Sequence, residues 1–109
     1  MEGNEDRSVR LWAQDLLFVS ASLRPDGRLV INGQDLNAGK VFGDGVEEYE
    51  YAITVAASDV PRIVTALGGS DGDDVLTLLE EHGEAVVRRG DLTWLRDQGI
   101  EPDFWSRIG

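Results

Sequence analysis

The spacing of apolar residues changes once along this chain, and that change limits the folds open to it. Up to Val55 the pattern repeats every two residues; from Val60 onward it repeats every three to four. The clearest alternation covers 48–56. Tyr49, Tyr51, Ile53 and Val55 share one face there, and Glu48, Glu50, Ala52 and Thr54 share the other. That predicts a strand with one dry side and one wet side. A second strand is predicted over 16–23, with Leu17, Val19, Ala21 and Leu23 together. The segment 8–15 reads as a strand ahead of it, with a short helix as the alternative. Arg24-Pro25-Asp26-Gly27-Arg28 leads into Leu29-Val30-Ile31 and predicts a hairpin turn. Proline presets φ at such a corner, and glycine accepts a positive φ. The stretch 32–45 holds Gly33, Gly39, Gly43 and Gly45 and reads as a long loop.

Beyond the change of period, Val60, Ile63, Val64 and Leu67 fall on one helical face. They predict a helix over 60–67, capped by Ser58 or Asp59 and stopped by Gly68-Gly69. A second helix is expected over 73–81, capped by Ser70 or Asp71, with Gly83 as its stop. The segment 84–89 divides between a short strand and a turn. A third helix is expected from Asp91 to Gly99 with Leu92 and Leu95 inward, and 100–108 reads as a last extended segment. Strands first and helices second argue for an α+β fold. The expected form is an antiparallel sheet of three to five strands, drawn from the N-terminal half and a C-terminal segment, with two or three helices packed on one face. A doubly wound fold would need alternating units. Residues 1–7 are expected to be a disordered tail and 8–109 a single domain, which 109 residues are enough to supply with a core.

Charge is the strongest compositional signal. The chain has 21 acids and 10 bases, a formal net of −11. Twelve of the acids and two of the bases fall within 35–84, which leaves the rest of the chain nearly neutral. Such a field repels nucleic acid and anionic membranes, and it attracts basic proteins. A purely solubilising surface would carry the same signature. There is no cysteine and one histidine, so thiolate sites and multi-histidine metal sites are excluded within one chain. The N-terminus is acidic where a signal peptide is basic and then apolar, and no apolar run reaches membrane-spanning length. A cytoplasmic protein is expected.

The candidate chemistries fail on spacing. Gly33 to Gly39-Lys40 resembles a phosphate loop, but five residues separate the glycines and Val41 stands where a hydroxyl must reach magnesium. Asp71-Gly72-Asp73-Asp74 begins like a calcium loop, but Val75 and His82 occupy ligand positions. Helix capping explains those acids more simply. His82 follows Glu80-Glu81 and reads as a residue of a last helical turn, favoured by the helix dipole. Arg89-Gly90-Asp91 is a chance match to an adhesion tripeptide. Phe104-Trp105 reads either as core or as an interface anchor, since tryptophan is enriched at binding hot spots.

One set of words spans about three quarters of the chain. It comprises Ile31-Asn32-Gly33-Gln34-Asp35-Leu36, Phe42-Gly43, Glu48-Tyr49-Glu50-Tyr51 with Thr54-Val55, Asp59-Val60-Pro61, Leu67-Gly68, Leu78-Leu79, Gly99-Ile100 and Phe104-Trp105-Ser106. It resembles a group of small acidic actinobacterial proteins, and size and acidity are similar to those of immunity proteins that neutralise bacterial toxins. The words contain no catalytic signature, and the acidic charge concentrated in 35–84 points to a binding protein rather than an enzyme, with no cofactor and no metal expected. The expected partner is a basic protein such as a nuclease-like toxin domain, not nucleic acid or a membrane. The expected contact residues are Asp44, Glu47, Glu48, Glu50, Asp71, Asp73, Asp74 and Trp105. A self-associating module, dimerising through a strand edge or Phe104-Trp105, is the second reading. A small enzyme centred on His82 is the third.

Overall fold

A computed structural model describes residues 7–36, 48–70 and 72–108. The elements in chain order are β1 (Arg7–Gln14), β2 (Leu17–Leu23), β3 (Leu29–Asp35), β4 (Tyr49–Val55), a 3₁₀ turn (Ala57–Asp59), α1 (Val60–Ala66), α2 (Val75–Arg89), α3 (Asp91–Asp97) and β5 (Asp103–Ile108). The sheet order is β1-β2-β3-β4-β5, and every neighbouring pair is antiparallel. The chain leaves the sheet at Val55, lays its helices over one face, and returns as β5 beside β4. This is the expected α+β fold, with the sheet built from the N-terminal half and a C-terminal strand.

Alternation decides which face is covered. Val19, Ala21, Leu29, Ile31, Ile53 and Val55 point to the helices and are buried. They meet Ile63 and Val64 of α1, Leu76, Leu79 and Val86 of α2, and Leu95 of α3 in one cluster. Each Val, Leu or Ile side chain among them, taken fully out of water, contributes about 1.5–3 kcal/mol. Val30 is the described residue of the opposite face that is also buried, at 2% exposure, and it lies outside that cluster.

Two turns join the first three strands. The 24–28 turn forms as expected: Gly27 has φ +91°, its N–H donates to Arg24 O at 2.9 Å, and Asp26 accepts from the Arg28 N–H at 3.0 Å. The β1–β2 turn is tighter than expected. Leu16 is not the first strand residue but sits in the turn with Asp15, at φ 64° and 55°. That left-handed pair is what a two-residue hairpin of type I′ requires.

Several expectations along the chain are corrected. Residues 32–35 belong to β3 rather than to a loop, because Asn32, Gly33, Gln34 and Asp35 pair with 49–52 of β4. Residues 37–47 lie outside the described residues. Neither Ser58 nor Asp59 caps α1 with its side chain; the 3₁₀ turn feeds directly into the helix, with Pro61 in its first turn. The cap of α2 is Asp74, which accepts from the Thr77 N–H at 3.3 Å and the Thr77 hydroxyl at 2.7 Å. Gly83 does not stop that helix. It is buried in its middle, and 84–89 continues as helix to Gly90 at φ +94°.

The reason for Gly83 lies in β1. Register shifts between Arg10 and Trp12, so Leu11 is an extra residue in a β-bulge. The bulge turns Leu11 toward the helices, where it is buried. A Cβ placed on Gly83 would stand 2.8 Å from the Leu11 Cα and Cβ. The glycine is a notch that lets α2 sit directly on the bulge. Gly83→Ala therefore runs against helix propensity. Despite alanine being the better helix former, the variant is expected to lose about 1–3 kcal/mol through overpacking. Urea denaturation of the two proteins checks the sign.

Candidate functional site

The sheet face away from the helices carries the surface most suited to recognition. Register places Arg10, Ser20, Asn32, Ala52 and Trp105 in one row across the five strands. The next row holds Ala13, Phe18, Gln34, Glu50 and Arg107. Between these rows lies a shallow groove of about 580 Å³, lined by Arg10, Phe18, Asn32, Gln34, Glu50 and Trp105 among others. Trp105 is 53% exposed. At one side the Arg10 guanidinium lies over the Phe18 ring, 5.8 Å from its centroid. At the other, Arg107 pairs with Glu50, and near it Gln34 donates to Glu48. The groove thus offers two aromatic rings, amide donors and acceptors, and both signs of charge.

The acids expected to act together are divided by the fold. Glu48 and Glu50 lie on this open face, and Glu50 shares the groove with Trp105. Asp73 and Asp74 precede α2, on the helix side. Each described member already has an internal partner. Asp73 accepts from the Ser70 N–H at 2.8 Å, and Asp74 forms a two-pronged pair with Arg7 at 2.7 and 3.0 Å. Asp44, Glu47 and Asp71 lie outside the described residues. Glu80, Glu81 and Glu84 line the exposed side of α2. His82 is there too, mid-helix and not in a last turn, in a shallow depression with Glu81, Glu84 and Arg88. Phe104 is 47% exposed, so neither it nor Trp105 belongs to the core.

A polar tie on the helix side was not legible beforehand. Tyr51 sits opposite Gly33, and its ring covers that glycine so closely that a Cβ would fall 2.0 Å from the ring. This carries the phenol to α3, where it donates to Asp91 Oδ2 at 2.6 Å. Burial pushes the Asp91 carboxyl above its ordinary value, although Tyr51 and the N–H groups of Asp91 and Leu92 pull the other way. Burial, then the Asp91 charge, pushes the Tyr51 phenol far up, so it stays a donor. The only sequence cue was a glycine in β3 opposite a tyrosine, and it required the register to be known. Asp74 is shifted oppositely: the Arg7 and Thr77 hydrogen bonds hold its carboxyl down at about 2.

Among the described residues no group of three or more metal-ligating side chains converges, and no helix is long and apolar enough to cross a membrane. In comparisons with known proteins, no family model, no curated protein and no solved structure matches this chain.

The two carboxyls are shifted in opposite directions, yet substitution at either tie costs most at neutral pH. Tyr51→Phe removes a donor from a part-buried carboxylate and should cost about 1–3 kcal/mol at neutral pH. Asp91 already has a folded pKa above its unfolded one, and the substitution raises it further. The loss is therefore largest at pH 7 and smaller at pH 4, because acid protonates the carboxyl and removes the charge that the phenol serves. Denaturation at the two pH values reads this directly. Asp74 has its folded pKa below its unfolded value, so its contribution is present at neutral pH and lost as pH falls from about 4 to about 2. Asp74→Ala should cost about 1 kcal/mol at pH 7, chiefly as a lost helix cap, since the exposed Arg7 pair adds little. As pH falls toward 2 the two stabilities should draw together, as acid titration followed by circular dichroism would show.

Proposed function

We propose that the protein is an acidic protein-binding domain of the immunity type, which neutralises a basic, nuclease-like toxin domain by direct contact. The observation that carries this reading is Trp105: a large aromatic side chain, half exposed, at a groove on a sheet face that no described helix covers. Exposed aromatic anchors beside arginine are the composition of binding hot spots. The net charge of −11 supplies the complementary field toward a basic partner. Opposite charge speeds encounter, and an anchored aromatic slows release.

The fold modifies the way the acids would work in this reading. Glu50 lines the groove with Trp105 and, together with Glu48 further along the same face, contacts the partner. Asp73 and Asp74, engaged in capping and in the Arg7 pair, act through the field rather than by contact. A competing role as plain solvated surface supplies charge but gives no reason for an exposed tryptophan on a groove.

The test is capture from lysate and secreted fraction of the native cell, eluted with rising salt, followed by measurement on the purified partner. The expected result is one basic protein held to high salt, whose toxic activity falls at equimolar inhibitor. Trp105→Ala should weaken its binding on the order of tenfold or more. A diffuse set of basic proteins released at modest salt would overturn the reading. So would a partner whose affinity is indifferent to Trp105→Ala.

A further inference from the structure

β5 is an edge strand, and the two edges of this sheet are built differently. At the β1 edge the ladder is broken by the bulge at Leu11, and Arg7 and Arg10 are exposed along it. Bulges and cations are the usual devices that keep an edge from pairing with another chain. β5 carries no bulge and no proline. It pairs with β4 in continuous register from Asp103 to Ile108, and all six of its residues are exposed. Three of them, Phe104, Trp105 and Ile108, are large apolar side chains 47–55% exposed. No described strand lies beyond it.

We propose that β5 pairs antiparallel with β5 of a second copy of this chain, about a two-fold axis at Ser106, joining the sheets into one of ten strands. The register follows from which side chains share a face. Phe104, Ser106 and Ile108 oppose Ile53, Tyr51 and Tyr49, so they lie on the helix side; Asp103, Trp105 and Arg107 oppose Thr54, Ala52 and Glu50, so they lie on the open side. Directly opposed residues in an antiparallel pair share a face. An axis passing through a residue keeps the helices of both copies on the same side.

Centring the axis on Ser106 satisfies the strand on both faces. On the helix side Phe104 meets Ile108 of the partner subunit, and the pair occurs twice by symmetry. On the open side Trp105 meets Arg107 of the partner subunit, also twice, with Asp103 of the partner subunit on the diagonal from Arg107. Aromatic with β-branched, cation with ring, and opposite charges are the favourable cross-strand pairs. Asp103 makes no ion pair with another described residue, so it is available for this contact. A strand that matches itself under two-fold rotation is what an isologous interface requires. The proposal does not rest on the toxin-binding reading: it is argued from the β5 edge alone, and in the dimer Trp105 keeps its place on the open face with Arg107 of the partner subunit beside it.

The full chain lacks cysteine, which makes the register directly testable. Sedimentation equilibrium from micromolar to millimolar protein is expected to show a mass rising from 12.0 kDa to twice that value. Ile108→Lys, at an exposed position, should hold the mass at one chain throughout with an unchanged circular dichroism spectrum. Ser106→Cys should form a covalent dimer on mild oxidation far faster than Ser58→Cys, because only the former meets itself at the axis. A mass that stays at one chain at every concentration would overturn the proposal. So would a dimer that survives Ile108→Lys, or one in which both cysteine variants oxidise at the same rate. None of these readouts involves a basic partner, so failure here and failure of the binding reading are separate results.

Discussion

Burial of one sheet face against α1, α2 and α3 is the constraint from which the other features follow. The alternation of β2, β3 and β4 sends their branched apolar side chains to that side, and the helices return theirs to the same layer. For α2 to lie that close, one of its positions must have no side chain where the bulged Leu11 rises, and Gly83 is that position. A second absence, at Gly33, lets the Tyr51 ring lie over β3 and reach Asp91 at the start of α3. Two missing Cβ atoms thus set the depth of one helix and the anchorage of another.

The cost of this economy is that the other face is left to water. Its rows are polar in the middle, with Ser20, Asn32 and Gln34, and carry rings and charges toward the edges, with Phe18, Trp105, Arg10 and Arg107. A sheet face that only needed to be wet would have no use for a half-exposed tryptophan. Phe18 is partly sheltered by Arg10, and Glu50 is held by Arg107, so the groove is ordered by its own pairs before anything binds. Preorganised side chains of this kind lose less freedom on association.

Much of this was legible in the sequence, because strand alternation and helical spacing are local signals. Tyr49 to Val55 alone specified a strand with one buried face, and the order of strands and helices specified the α+β layering. What escaped was whatever depends on contact between distant segments. Gly83 reads as a helix stop until Leu11, far earlier in the chain, is seen to need its space. Asn32 to Asp35 read as loop because a glycine and polar residues suit loops; they form a strand because β2 and β4 flank them. The middle acids formed one run in sequence, yet the fold sends Glu48 and Glu50 to one side of the sheet and Asp73 and Asp74 to the other. Trp105 could not be assigned to core or anchor until it was known which face the helices leave open.

The claim that recognition falls on the uncovered face can be tested by nuclear magnetic resonance. The labelled protein would be titrated with a basic protein recovered by the salt-graded capture. Three indole N–H signals report on opposite sides of the sheet: Trp12 and Trp94 pack against the helix-side core, and Trp105 lies on the open face. This account predicts that the Trp105 indole and the side-chain amides of Asn32 and Gln34 shift while Trp12 and Trp94 hold still. Shifts confined to α2, around Glu80, Glu81 and Glu84, with Trp105 unmoved, would contradict it.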